Sequence, residues 1–196
     1  DYEDKKVSGI SHFLEHMCFK GTIKRPTAQS IAHELDSLGS VYNAFTDHEM
    51  TGYYAKADAK HFKKIFDVIS DIYLNSTLPS NEIEKEKGVI VEEINMYEDM
   101  PHRHVHDVLD ELLYGDQPAG RNIAGTREIV KSLSREDFVK YKSSHYVSSA
   151  TTIIVVGNIT EKEVLMEVTK QFKNLPESKK SKKVKTVAAV TETDKK

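Results

Sequence analysis

The sequence predicts an α+β domain built on a mostly antiparallel sheet, with helices packed on one face of that sheet. Two runs rich in Val, Tyr, Phe and Thr, residues 40–46 and 49–57, are joined by the short polar link Asp47-His48, which indicates a hairpin. Capped segments with helical periodicity fill most of the remaining chain. Strands and helices do not alternate strictly, as they would in a parallel sheet, so the antiparallel class is favoured.

Two helices are predicted before the hairpin. Ser8 can cap a helix that runs from about Gly9 to Phe19. Thr27 opens a second helix, which stops at Gly39. The first helix is short, but it carries the histidines discussed below.

Three further helices are predicted in the middle third of the chain. Asp58 is a typical N-cap, and Pro101 fits the first helical position, where no backbone N–H is needed. Pro79-Ser80 marks the start of the helix between them. The expected spans are about 58–74, 80–100 and 101–115.

The last third of the chain combines helices with one strand. Ser134, with Asp137 at the third helical position, forms a near capping box for a helix that ends near His145. The β-branched run 151–156 predicts a buried strand, and 161–173 predicts an amphipathic helix. The sequence thus predicts one compact domain with strands in two separate parts of the chain.

The expected domain organisation is one large unit followed by a short tail. Residues 1–175 are predicted to form one domain, which carries the candidate site described below. Residues 176–196 contain a lysine-rich run, which is typical of a solvated linker or of the start of a connection to a second domain.

Composition and charge exclude several classes of protein. With 28 basic and 31 acidic residues the net charge is -3, which gives no cationic field to attract nucleic acid. No apolar run approaches the roughly 18 residues needed to cross a bilayer. The single cysteine, Cys18, cannot form an internal disulfide, which fits a reducing compartment. We therefore expect a cytoplasmic protein, with the mitochondrial matrix as the alternative.

The segment HFLEH, which begins at His12, has the pattern of a zinc site. His12 and His16 lie one helical turn apart on the same face, the spacing that lets both imidazoles reach one zinc ion. Zinc lowers the pKa of a bound water, and a neighbouring carboxylate can accept the proton of that water as it attacks a peptide carbonyl. The pattern predicts one zinc ion in this domain, with Glu15 as the general base.

A catalytic zinc ion usually takes three protein side chains, so a third ligand must come from elsewhere in the chain. The predicted 80–100 helix offers Glu86 and Glu93, which are seven residues apart and lie nearly on one stripe. Glu92 points about 100° away from Glu93. One glutamate of the stripe would bind the metal and the other would orient a ligand histidine. Periodicity alone leaves both assignments open.

A second group of possible metal ligands lies in the next predicted helix. His102 and His106 could share a helical face with Asp110. The favoured interpretation of this group is an ordinary solvated first turn. Cys18, two positions past His16, faces away from the metal stripe and is expected to be buried.

The longer string around the motif, GISHFLEHMCFKGT, resembles the pitrilysin family of zinc peptidases (M16), especially its mitochondrial-processing-peptidase-like branch. The order His-x-x-Glu-His is the inverse of the thermolysin-type motif and marks the inverzincins. The resemblance continues through VYNAFTDHEMTGYYAKA, EIEKEKGVIVEEINMYED, GRNIAGT and SREDFVKYKSSHY, so it covers most of the chain. It implies the N-terminal catalytic domain of that family, with the LuxS/MPP-like metallohydrolase fold.

The resemblance also implies roles for individual residues. The third metal ligand of the family is a glutamate in a run like VEEINM, which corresponds to Glu93. A glutamate one heptad earlier supports zinc binding or catalysis and corresponds to Glu86. The family binds its substrate as an added strand on an exposed sheet edge, which corresponds to Asn43, Ala44 and Phe45.

The resemblance finally implies a partner. Family members begin with a pair of strands before the motif helix, and they carry a second, non-catalytic domain that closes over the peptide. We therefore expect this chain to act with a second M16-type domain or subunit, possibly as a dimer. The predicted function is zinc-dependent hydrolysis of peptide bonds in short or unfolded peptides. The alternative is a non-catalytic assembly partner, against which the intact motif argues.

Overall fold

A computed structural model describes residues 3–177 of the chain. The fold is rich in helix and contains a small antiparallel sheet, which confirms the predicted α+β class. The helices and strands, in chain order, are α1 (Ile10–Cys18), α2 (Ala28–Ser37), β1 (Val41–Thr46), β2 (Thr51–Lys56), α3 (Phe62–Asn75), α4 (Ser80–Glu98), α5 (Pro101–Tyr114), α6 (Arg127–Ser132), α7 (Arg135–His145) and α8 (Glu161–Phe172). None of these helices has both the length and the apolar character needed to cross a membrane. The lysine-rich run of the predicted linker lies outside the described residues.

The predicted hairpin is present and antiparallel. Strand β1 pairs with β2 from Val41, opposite Lys56, to Thr46, opposite Thr51. Phe45 lies across Gly52, where an added Cβ would come within 2.4 Å of the Phe45 ring. The glycine therefore makes room for an aromatic side chain on the outer face of the hairpin.

Two apolar clusters hold the fold together. The first joins α1 to α4, α6 and α7, and Phe13 packs edge-on against Phe138 with 4.8 Å between the ring centroids. The second joins α2 and α3 to the inner face of the hairpin and includes Leu35 and Ile72. Each fully buried side chain of this size stabilises the fold by about 1.5–3 kcal/mol. Helix α1 contacts both α4 and β1, so it is fixed from two sides.

Several helices begin where the sequence predicts. The Thr27 hydroxyl accepts from the backbone N–H of Ser30 at the start of α2, and the Ser134 hydroxyl accepts from the N–H of Asp137 at the start of α7. Pro101 is the first residue of α5. These caps act within four residues of sequence, which is why the sequence reveals them.

The start of α1 differs from the prediction. Ser8 is not the cap; the N-cap is Gly9, with φ of 93° and no side-chain cap of its own. The Glu3 carboxylate takes this role, because it accepts from the N–H groups of Gly9 at 2.8 Å and Ser11 at 2.7 Å. A Cβ at Gly9 would lie 2.4 Å from the carbonyl oxygen of Ala124, so only glycine fits this close approach.

The predicted strand 151–156 is wrong for the described structure. These residues form no strand, and Ile154 and Val156 are 80% and 92% exposed. A strand exists only when its backbone groups pair with a neighbour, and no strand within residues 3–177 pairs with this run. The predicted burial is also wrong, because the run alternates between half-buried and exposed residues.

Candidate metal centre

Three side chains from α1 and α4 meet at the predicted metal site. The Glu93 Oε2 atom lies 3.7 Å from Nε2 of His12 and 3.5 Å from Nε2 of His16. The two imidazole rings meet edge to face, with 4.7 Å between their centroids. In the described part of the chain this is the one group of three metal-binding side chains whose ligand atoms lie within 4.8 Å of one another.

The spacing of these three atoms fits a zinc ion. Zinc bound tetrahedrally at 2.0–2.2 Å separates its ligand atoms by about 3.3–3.6 Å. The two distances to Glu93 are 3.5 and 3.7 Å, close to that separation and too long for hydrogen bonds. One carboxylate and two imidazoles are also the donor set that zinc prefers in hydrolytic sites.

The first histidine is prepared for metal binding by its surroundings. Burial, and then the neighbouring charge of His16, lower the pKa of His12 to about 4, against the opposing effect of Glu93. The imidazole of His12 is therefore neutral at physiological pH, which is the form that binds metals. Its Nδ1 atom is buried and has no hydrogen-bond partner within residues 3–177.

The second histidine is oriented by a buried glutamate. The Nδ1 atom of His16 lies 3.0 Å from Oε1 of Glu86, and the other Glu86 oxygen accepts from Nζ of Lys20 at 2.6 Å. Burial alone would raise the pKa of Glu86, but the hydrogen bonds from His16 and Lys20 lower it below its ordinary value. An ionised Glu86 favours the tautomer with the proton on Nδ1, which leaves Nε2 of His16 free to face Glu93. The geometry thus separates the two glutamates that the helical stripe left equivalent.

The predicted base is buried beside this group. Glu15 is 8% exposed, and its Oε2 atom accepts a hydrogen bond from the hydroxyl of Thr46 at the end of β1. Burial raises the pKa of Glu15, while the hydrogen bond from Thr46 opposes that rise. Glu92, in contrast, is exposed and points away from the site, as its position on α4 predicts.

The sheet edge that is predicted to bind substrate ends beside the candidate metal centre. Asn43 and Phe45 point outward and are exposed, whereas Ala44 is half-buried between them. The backbone N–H of Ala44 donates to the side chain of Asn43 at 2.9 Å. The described sheet has two strands, so the edge of β1 opposite β2 pairs with no strand in residues 3–177. This edge ends at Thr46, which contacts Glu15.

The second group of possible ligands does not assemble. His102 and His106 are exposed on α5 and, with Asp110, form no metal-binding group within residues 3–177, so that candidate is wrong. A helical face brings Cα atoms into line but does not by itself aim the side chains at one point. Cys18 is buried, as expected, and accepts from the hydroxyl of Tyr53 at 3.4 Å.

Three neighbours of the site were missed by the sequence analysis. Lys20 binds Glu86, Thr46 binds Glu15, and the hydroxyl of Tyr97 donates to Oε1 of Glu93 at 3.0 Å. Tyr97 follows Glu93 by four positions on α4, so the helical spacing could have revealed it. Lys20 lies just beyond the end of α1 and contacts a residue of another helix, so no helical spacing reveals it. Thr46 comes from a strand, and no local pattern announces its contact.

Comparison with known families gives two matches along the chain. Residues 1–127 match the family described as insulinase (peptidase family M16). Residues 132–196 match the family described as the peptidase M16 inactive domain. The first match includes every residue of the candidate metal centre.

Individual relatives extend beyond this chain. An uncharacterized zinc protease of Bacillus subtilis, YmxG, is 42% identical over 171 residues, which are 87% of this chain and 41% of that protein. The human mitochondrial-processing peptidase subunit beta is 40% identical over 164 residues, which are 84% of this chain and 33% of that protein. A protease from Helicobacter pylori shares the fold, with a TM-score of 0.85 at 22% identity, over 95% of this chain and 45% of its own. The chain thus spans less than half of the length of each.

Proposed function

The chain belongs to peptidase family M16, the insulinase family, and on that premise we propose that it carries the zinc centre of an endopeptidase. In this proposal His12, His16 and Glu93 hold one zinc ion and Glu15 is the general base. The observation that supports it most is the approach of both histidine Nε2 atoms to one oxygen of Glu93. These groups come from two helices, so the fold must bring them together.

The proposed reaction is hydrolysis of a peptide bond. A zinc ion, when bound, supplies Lewis acidity that lowers the pKa of a water molecule and polarises the peptide carbonyl. Glu15 accepts a proton from the attacking water as the oxygen of that water bonds to the carbonyl carbon. The same proton then passes from Glu15 to the leaving amine as the carbon–nitrogen bond breaks. The raised pKa of Glu15 suits it to both steps, because it must take and return a proton near neutral pH.

The proposed substrate is an extended peptide. A peptide that adds to the free edge of β1 would pair its backbone with the segment from Asn43 to Phe45. The half-buried Ala44 offers little side-chain bulk there, and the exposed Phe45 offers an apolar contact. Only short or unfolded peptides can present such an extended strand, which is why we propose them as the substrate class.

We further propose that cleavage requires the remainder of a two-domain M16 protein or a second subunit. The chain spans less than half of its relatives, and its C-terminal residues match the inactive-domain family. A second domain would cover the metal centre, exclude solvent from the reacting groups and hold the peptide on the β1 edge. The buried Cys18 fits a reducing compartment, either the cytoplasm or the mitochondrial matrix.

A charge-removing substitution at Glu15 tests this proposal, with the same substitution at the exposed Glu92 of α4 as a control. In Glu15→Gln we expect peptide cleavage to fall by about 10²–10⁴-fold while zinc stays bound, because the amide cannot accept the proton. Glu92→Gln removes the same charge from an exposed position and should change neither property. Cleavage of a fluorogenic peptide and zinc content should be measured for both variants, alone and with the second domain or subunit. If Glu15→Gln cleaves the peptide as fast as the unsubstituted protein, Glu15 is not the base.

The alternative is a non-catalytic subunit that assists a catalytic partner. This alternative predicts that well-folded protein binds no zinc and that adding the second half produces no cleavage. The retained set of His12, Glu15, His16 and Glu93 favours the peptidase. Stoichiometric zinc in the purified protein would decide against the alternative.

A further inference from the structure

The two carboxylate oxygens of Glu93 lie in different environments. Its Oε2 atom faces the Nε2 atoms of His12 and His16. Its Oε1 atom accepts a hydrogen bond from the hydroxyl of Tyr97 at 3.0 Å. Glu93 and Tyr97 are one turn apart on α4, so the helix itself sets this contact. One oxygen is thus occupied by the protein and the other is presented to the histidines.

The tyrosine is in turn held from the next helix. Arg103, in the first turn of α5, places its guanidinium carbon 5.0 Å from the centroid of the Tyr97 ring. The negative face of the tyrosine ring attracts a cation in this position. The side chain of Tyr97 is half-buried at the junction of α4 and α5. The contacts with Glu93 of α4 and Arg103 of α5 together fix the position of the Tyr97 hydroxyl.

We propose that Tyr97 is a positioning residue of the metal centre, which holds Glu93 so that a single carboxylate oxygen is offered to the metal. This inference rests on the proposed function, since it takes Glu93 as the third ligand. A carboxylate that is free to rotate can bind zinc through both oxygens and so fill the place that a water molecule needs. The hydrogen bond from Tyr97 opposes that arrangement, because it holds the carboxylate with Oε1 turned towards the tyrosine and Oε2 towards the histidines.

A purely structural role for Tyr97 would have different consequences. If Tyr97 only tied α4 to α5, loss of its hydroxyl would alter stability and leave the metal untouched. A positioning role predicts the reverse, since the ring of a phenylalanine could still stack under Arg103. Removing the partner of a metal-binding side chain typically costs 10–100-fold in metal affinity.

The test is zinc affinity in Tyr97→Phe, measured by competition with a chromogenic chelator in the purified protein. We expect the dissociation constant to rise by about 10–100-fold, with the thermal unfolding midpoint of the metal-free protein unchanged. Tyr114→Phe, at the C-terminal end of α5, removes a hydroxyl outside the metal centre and serves as the matched control. Cobalt substitution gives a second readout: the visible absorption of Co²⁺ weakens as its coordination number rises, so Tyr97→Phe should lower the absorption.

Each outcome bears on one part of the inference. Weaker zinc binding in Tyr97→Phe, with normal binding in Tyr114→Phe, supports the positioning role. If the unsubstituted protein binds zinc tightly and Tyr97→Phe binds it within about threefold as well, the positioning role is overturned and the zinc centre stands. If the unsubstituted protein binds no zinc, both this inference and the proposed function are overturned.

Discussion

Two clusters of charged side chains bridge distant parts of this chain, and they differ in how completely their hydrogen bonds are made. The first surrounds Arg25, which is 6% exposed. Its guanidinium donates to both oxygens of Glu34, at 2.7 and 2.9 Å, to Asp67 at 2.8 Å and to Asp71 at 2.7 Å. The hydroxyl of Thr22 also donates to Asp71. Each of the three carboxylates receives a hydrogen bond from the guanidinium.

The second cluster is the candidate metal centre, and it is left open at its middle. The Nε2 atoms of His12 and His16 face Oε2 of Glu93 at distances too long for hydrogen bonds. The outer atoms of His16 and Glu93, in contrast, are bound by Glu86 and Tyr97. A cluster that is held at its periphery and unbonded at its centre has room for an ion there. The Arg25 cluster has no such gap, and its guanidinium joins the segment before α2 to α2 and α3.

The largest effect that we expect is a loss of stability when the Arg25 cluster is broken. In Arg25→Met, the free energy of unfolding should fall by about 3–5 kcal/mol, because Asp71 is left buried without its charged partner. Lys24→Met removes an exposed lysine that pairs with Asp67, and it should cost about 1 kcal/mol or less. Urea unfolding measures both. Equal losses in the two variants would contradict the distinction between a buried and an exposed pair.

The second prediction concerns the candidate metal centre. Glu93→Gln should weaken zinc binding by more than about 100-fold, beyond the usual cost of losing a supporting residue. The stability of the metal-free protein should change little, because Glu93 makes no short contact with the histidines. Chelator competition and urea unfolding together test this. A large loss of stability with unchanged zinc affinity would mean that the cluster is structural.

A smaller effect is expected from the residue that holds Glu86. Lys20→Met removes the ammonium group 2.6 Å from Glu86 and should weaken zinc binding by about 10-fold, because Glu86 then orients His16 less firmly. Lys85→Met removes a lysine of α4 that pairs with Glu82 at the surface and provides the control. Isothermal titration with zinc compares the two. Equal zinc affinity in the two variants would contradict the role of Lys20 in holding Glu86.

The smallest effect is a shift in pH dependence. The hydrogen bond from Thr46 favours the ionised form of Glu15, so its loss in Thr46→Val should raise the pKa of Glu15 further. A base works only when ionised, so the acid limb of kcat/KM should move to higher pH. One hydrogen bond is worth about 0.5–1.5 kcal/mol, which corresponds to about 0.5–1 pH unit. An acid limb that moves to lower pH would contradict this assignment.

The residues of the candidate metal centre follow a pattern in the sequence, and those of the Arg25 cluster do not. The metal centre depends on helical spacings, four residues between His12 and His16 and seven between Glu86 and Glu93, which can be recognised without a structure. The partners of Arg25 are separated from it by 9 to 46 positions and follow no pattern. Only the packing of α2 against α3 brings them together.

The same division explains which elements of the fold were predicted. Capped helices such as α2 and α7 depend on hydrogen bonds between residues close in sequence. The start of α1 depends on Glu3, and the run 151–156 depends on a strand partner, neither of which local composition can supply. The six-residue α6 was not predicted, because it is too short to show a helical period.

The central claim is that His12, His16 and Glu93 bind zinc, and anomalous diffraction at the zinc absorption edge tests it most directly. We expect one anomalous peak at about 2.0–2.2 Å from Nε2 of His12, Nε2 of His16 and Oε2 of Glu93. The same peak should be missing from crystals of Glu93→Gln grown and soaked in parallel. A zinc ion bound by other residues, or no peak in crystals with all three side chains well ordered, would contradict the claim.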